Sequence, residues 1–231
     1  MRIGYQEILR CVRFDDYEDI KNYIKIIKNG IEFEWKKHSQ EVSGDESALD
    51  EKAAQLQLFE YRMKAMQLCC LIEVWEQDLF NFLYEIATKE NNTELLRKLT
   101  NSKNSNAYLD NDYGKHLTEA YKFLYGKQIS EVSDIDDIRN IVNAIKHGTG
   151  KSLVKLKEKL GDAILADSNL GFVTADGNVE HYKQADYDVN TLTSIVLNLD
   201  GKVEEAHIQI VKFWNKTYEF EDVRKHIMAF N

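Results

Sequence analysis

Residues 46–89 read ESALDEKAAQLQLFEYRMKAMQLCCLIEVWEQDLFNFLYEIATK, without a glycine or a proline. Leu49, Ala53, Leu56, Phe59, Met63, Met66, Cys70 and Val74 recur at steps of three and four residues. That alternation is the seam of a coiled-coil type helix and predicts one very long helix over the stretch. Ser43-Gly44-Asp45 just ahead supplies an N-cap. From Leu68 to Leu79 the apolar residues spread over more than one face, which places this portion at the centre of the fold.

Helical spacing continues on both sides. Tyr17, Ile20, Tyr23, Ile24, Ile27, Ile31 and Trp35 mark one face of a helix from about Asp15 to Ser39, interrupted by Gly30. Asn91 to Asn111 is rich in Asn, Ser, Asp and Lys, and is expected to be loop with a short helix near Glu94 to Leu99. A helix from about Tyr113 to Tyr125 turns Leu117, Ala120, Tyr121 and Leu124 inward. Ser133 is placed to cap the next one. Asp134, Asp136 and Asp137 lie in its first turn, where the dipole favours anions, and Ile135, Ile138, Val142 and Ile145 form its apolar stripe. Gly148 is placed to end it, and a short helix resumes from about Ser152 to Leu160. Phe172 to Ala175 and Asn178 to Tyr182 flank Asp176-Gly177, the composition of a small β-hairpin. Asn190 to Tyr218 has helical spacing with Gly201 as its flaw; two strands meeting at Asp200-Gly201 are the alternative.

The composition agrees with an all-α chain. Average usage would supply about 5% proline, and this chain has none. A hydrophobic fraction of 43% is too high for a disordered chain. Three cysteines, with no CxxC pair, make neither a disulfide framework nor a zinc knuckle. No apolar stretch approaches the ~20 residues of a membrane span, and the first residues carry no leader pattern, so a cytoplasmic location without membrane contact is expected. A net charge of −9 excludes a general nucleic-acid coat protein but not a local basic patch.

Several motifs fail on inspection. Gly148-Thr149-Gly150-Lys151-Ser152 resembles the end of a phosphate-binding loop, but Ile145 stands where the first glycine belongs, and a helix rather than a strand precedes it. Asp110, Asp112 and Gly114 lack the spacing of a calcium loop. His38, His116, His181, His207 and His226 show no metal-ligand spacing, so no metal and no cofactor are expected.

Asn143 to Gly148 is different. Asn143 and His147 lie one turn apart on one helix face. His147 falls at the helix C-terminus, where the dipole favours the imidazolium. Lys151, Lys155 and Lys159 then recur at four-residue steps. An imidazole beside an amide and lysines can take the proton of a ribose 2′-OH while the cations offset the charge on phosphorus. The plainer reading is a helix-end cap followed by a solvated lysine face.

Arg139-Asn140-Ile141-Val142-Asn143-Ala144-Ile145-Lys146-His147-Gly148 resembles the signature region of HEPN-domain proteins. Those are helical proteins, many of them metal-independent ribonucleases of toxin–antitoxin, phage-defence and RNA-processing systems. Their mark is an Arg, four to six residues, then a His, often with Asn after the Arg and Gly after the His. Leu68 to Gln77 is similar to the long family helix, and the segment holding Phe213-Trp214 to a closing one. The spacing departs by one residue, because seven residues separate Arg139 from His147. Arg139 therefore falls about 80° around the helix and about 12 Å along it from the histidine.

The resemblance implies a single HEPN-like domain over residues 1–231. Residues 1–45 hold an N-terminal helix, 46–160 the signature-bearing core, 161–189 an irregular or hairpin insertion, and 190–231 a C-terminal helix. It implies an antiparallel helical hairpin or bundle. It also implies a catalytic set of His147, Asn143 and Arg139, with cations from Lys146, Lys151 and Lys155. Glu76 stands on the apolar line of Ile72, Leu79, Phe80 and Leu83, and is expected either to support the site by meeting Arg139 or to be an ordinary solvent-facing Glu. RNA would be the substrate, and an antitoxin or defence protein the partner; the extended apolar seam of the long helix suggests a homodimer. A non-catalytic dimeric interaction or sensor module is the alternative function.

Overall fold

The computed structural model describes residues 14–41, 46–100, 113–147, 151–161, 171–173, 179–181 and 197–230. Its architecture is all-α. Helices α1 (Phe14–Glu41) and α2 (Glu46–Lys89) are followed by α3 (Thr93–Thr100), α4 (Tyr113–Tyr125), a 3-10 turn (Ile129–Glu131), α5 (Ile135–His147), α6 (Lys151–Leu160) and α7 (Lys202–Phe230). Strands β1 (Gly171–Val173) and β2 (Val179–His181) pair antiparallel, with Phe172 opposite Glu180. The hairpin expected there is present as these two strands, and Asp176-Gly177 lies outside the described residues. The chain divides into two compact units, one of residues 1–18, 71–136 and 205–231, the other of 19–70 and 137–204.

The first unit is built on aromatic side chains. Trp75 of α2 meets Phe213 of α7 edge-on, with ring centroids 5.2 Å apart. Phe82 meets Trp214 in the same manner at 5.5 Å, and Tyr121 of α4 lies 5.2 Å from Phe213. Such pairs add about 0.5–1.5 kcal/mol each beyond the area they bury. Asn91 adopts a positive φ of 53°, and the side chain of Asn92 accepts from the Leu95 N–H to cap α3. Leu95 and Leu99 of α3 are buried, as are Leu117, Ala120 and Tyr121 of α4. Lys98 lies over the Phe123 ring at 5.2 Å.

The buried carboxylates of this unit, Asp78 and Glu221, are paired. Asp78, with no exposed surface, accepts from the Tyr17 hydroxyl at 2.7 Å. Arg224 donates two hydrogen bonds to Glu90, at 2.6 and 2.7 Å, and two to Glu221, at 2.8 and 2.9 Å. Burial works against the charge of Arg224, but the bonds to Glu90 and Glu221 outweigh it and raise its pKa above the ordinary arginine value. Tyr125 donates to Glu221 at 2.9 Å.

In the second unit α1 and α2 run antiparallel. Gln67 donates to the Ile20 carbonyl at 3.3 Å, and the His38 ring lies 3.4 Å from the Ala48 carbonyl. The Leu197 N–H donates to the Tyr61 hydroxyl. Lys64 bonds both Glu60 and Asp200 at 2.7 Å, and its hydrogen bond holds the Asp200 carboxyl below the usual range.

The seam residues Phe59, Met66 and Cys70 of α2 are exposed, while Leu68, Leu71, Ile72, Trp75 and Leu79 are buried; three other expectations are corrected. The same helix carries two apolar faces, and the bulkier one, with Trp75, is buried. On α1, Tyr17 is buried but Tyr23 is exposed. Ser133 does not act as a side-chain cap, since its hydroxyl is buried with no hydrogen-bond partner. The last helix begins only at Lys202, because Gly201 takes a left-handed φ of 69° that ends the preceding segment. It then continues to Phe230, past the expected end at Tyr218. Residues 182–196, with Leu192 and Ile195, lie outside the described residues.

Two outcomes follow for stability. Arg224→Met removes the four hydrogen bonds to Glu90 and Glu221, leaving the buried Glu221 with the Tyr125 hydroxyl and Lys225, and lowers the unfolding free energy in urea by about 3 kcal/mol. Burial, partly offset by the hydrogen bond with Thr217, pushes Tyr121 up to about 12. Burial and the Glu221 charge raise Tyr125 as well. The unfolded phenols ionise near pH 10 while the native ones keep their protons. Stability from this source is complete below about pH 10 and is lost as the pH rises toward the folded values. A tyrosinate absorbance titration of the native protein should show a late-titrating fraction, and Tyr121→Phe should reduce it.

Candidate functional site

Helix α5 is amphipathic for a simple reason. Ile135, Ile138, Ile141, Val142 and Ala144 are all buried, and Ile145 is half-buried. The stripe is therefore wider than the four residues read from spacing alone, because Ile141 and Ala144 join it. What remains to solvent is narrow and polar.

That remaining strip carries three of the expected site residues. Arg139, Asn143 and Lys146 follow one another at steps of four and three, within about 60° of each other around the helix. Asn143 and Lys146 are exposed, and Arg139 is half-buried. The expected pairing of Asn143 with His147 rests on backbone position, since His147 is the last residue of α5. The His147 side chain lies outside the described residues, as do Gly148 and the side chain of Lys151.

Helix α6 begins at Lys151 and returns along α5. Lys159, near its end, donates to Asp137 in the first turn of α5. With those two residues opposite each other, Lys155 stands level with Ile141 in the antiparallel pair. Lys155 is exposed and Leu156 beside it is buried. One lysine of the basic stripe, Lys159, thus has an acidic partner, and Lys155 remains an exposed cation on the same helix. The arrangement gathers an amide and cations on one polar strip, which can hold a phosphate by charge and hydrogen bonding.

Glu76 belongs to the other unit, on α2. Its neighbours Ile72, Leu79, Phe80 and Leu83 are buried as expected, while Glu76 itself is half-buried. The fully buried acid of that helix is Asp78, which the sequence analysis did not single out. A signal was present: Leu71, Trp75, Asp78 and Phe82 stand at steps of four, three and four, so Asp78 is the polar member of an apolar line. Its side chain is taken up by Tyr17. Among the described residues, no group of three His, Cys, Asp or Glu side chains is arranged to hold a metal ion. No described helix is long and apolar enough to cross a membrane.

The two sides of α5 respond differently to truncation. Asn143→Ala should leave the urea midpoint within about 0.5 kcal/mol of wild type, as exposed substitutions do. Ile138→Ala should cost about 2–4 kcal/mol through its cavity. Equal costs would mean that the Asn143 side chain is structural. No family model, no curated protein and no solved structure matches this chain.

Proposed function

We propose that this protein is a HEPN-like RNA endonuclease of a bacterial toxin or phage-defence type, which cuts by 2′-OH attack without a metal. The observation that carries the reading is the polar strip of α5, where Arg139, Asn143 and Lys146 share a face. Its chemistry suits a phosphodiester. In the proposed reaction the ribose 2′ oxygen attacks phosphorus, and His147 takes the hydroxyl proton as general base. The bond from phosphorus to the 5′ oxygen breaks, and that oxygen leaves with a proton returned by the imidazolium. The products are a 2′,3′-cyclic phosphate and a free 5′ hydroxyl. Asn143 orients the imidazole or a phosphate oxygen, and the cations Arg139, Lys146, Lys151 and Lys155 offset the charge that builds on phosphorus. Glu76 is assigned a supporting role on its helix, and the working form is a cytoplasmic homodimer.

A second reading has its own support. Seven residues between Arg139 and His147, and a net charge of −9, favour a non-catalytic HEPN-like module that senses or restrains an antitoxin or defence partner. Incubation of the purified protein with end-labelled mixed-sequence RNA in the presence of EDTA separates the two. Wild type should yield cyclic-phosphate ends, and His147→Ala should lower the rate at least about 100-fold. If folded wild type and variant leave the RNA equally intact, the nuclease reading is wrong and the module reading stands.

A further inference from the structure

Among the described residues, no element covers the outward apolar face of the α1–α2 hairpin in the second unit. On α2, Phe59 is 49% and Met66 is 52% exposed, and Cys70 is exposed beside them. At about 100° per residue, these three lie opposite the buried side of Leu68 and Ile72. With Met63 they have the four–three–four spacing of a coiled-coil seam. On α1, Tyr23 is 56%, Ile26 is 66% and Phe33 is 65% exposed.

The two sets form one surface. Ile20 opposite Gln67, and His38 opposite Ala48, fix the antiparallel register. In that register Tyr23 and Ile26 stand level with residues 61–64, between Phe59 and Met66. Two right-handed helices run antiparallel turn these residues to the same side of the pair. Tyr23, Ile26, Phe59 and Met66 together expose roughly 500 Å², against about 800 Å² per partner for a standard interface. A patch of that size is at the upper end of what a monomer exposes and matches the apolar centre of a stable contact.

We infer that this face is the self-association surface of the protein, covered by the same face of a second copy. A second copy fits because a seam with coiled-coil spacing is filled best by side chains of matching spacing, and a two-fold pairing supplies them. The area agrees with a dimer of ordinary size. The whole surface belongs to one unit and does not include α5, so the inference stands whether or not the chain cleaves RNA.

Sedimentation velocity over a range of micromolar concentrations tests it. Wild type should sediment as a species of twice the chain mass. Phe59→Glu with Met66→Glu should weaken association at least about 100-fold, and Tyr23→Lys with Ile26→Lys should do the same from α1. Unchanged circular dichroism and urea midpoint would show that each variant remains folded. Val223→Glu alters an apolar side chain of α7 that is 58% exposed, and should leave the dimer intact. A monomeric wild type at about 100 μM, well above the affinity of a standard-size interface, would overturn the inference. So would variants at both helices that are folded and still dimeric.

Discussion

The edge-on contact of Trp75 with Phe213 is the constraint on which the first unit depends. It joins the longest helix to the last one, and neither residue has exposed surface. Phe82, Tyr121, Trp214 and Tyr218 gather around the same pair. A helix side chain cannot turn independently of its backbone. Burying Trp75 therefore sets the rotation of α2 about its axis and decides which of its two apolar faces lies inside. Leu68, Leu71, Ile72 and Leu79 follow Trp75 inward, and Phe59, Met66 and Cys70 are left outward. The exposure of these residues is thus a consequence of where the largest side chain goes.

Register along the helices is held by a different kind of interaction. Arg224 bridges Glu90 and Glu221, and Tyr17 reaches Asp78, each joining residues far apart in sequence. Ion pairs of this kind contribute modestly to net stability, because removing charges from water offsets much of their attraction. Their effect is to make other alignments costly, since a slipped helix would leave a buried carboxylate without its partner. An apolar interface alone tolerates sliding more readily than one holding such a pair.

The strip on α5 exists because the other side of that helix is so fully apolar. With five residues buried, Arg139, Asn143 and Lys146 have one remaining direction. The salt bridge between Lys159 and Asp137 turns part of a basic stripe into a clasp between the two helices. Charge in this region therefore serves both folding and the proposed phosphate chemistry. The nuclease reading assigns the exposed groups to RNA and the paired ones to the scaffold.

Helical spacing and the absence of proline made the all-α architecture and most helix positions legible from the chain alone. Local spacing also marked the buried stripe of α5 and the polar face opposite it, because a short amphipathic helix has one apolar side to hide. The β-forming residues on either side of Asp176-Gly177 marked the two strands. Spacing could not choose between the two apolar faces of α2, since both satisfy the helical period; the choice came from aromatic partners on α4 and α7. It could not show that Asp78 is the buried acid, because a carboxylate enters a core only where a distant group such as the Tyr17 hydroxyl meets it. Periodicity is a property of neighbours in the chain and is written in the sequence. Partnership between residues such as Trp75 and Phe213, or Arg224 and Glu90, is a property of packing, and tertiary structure alone decided it.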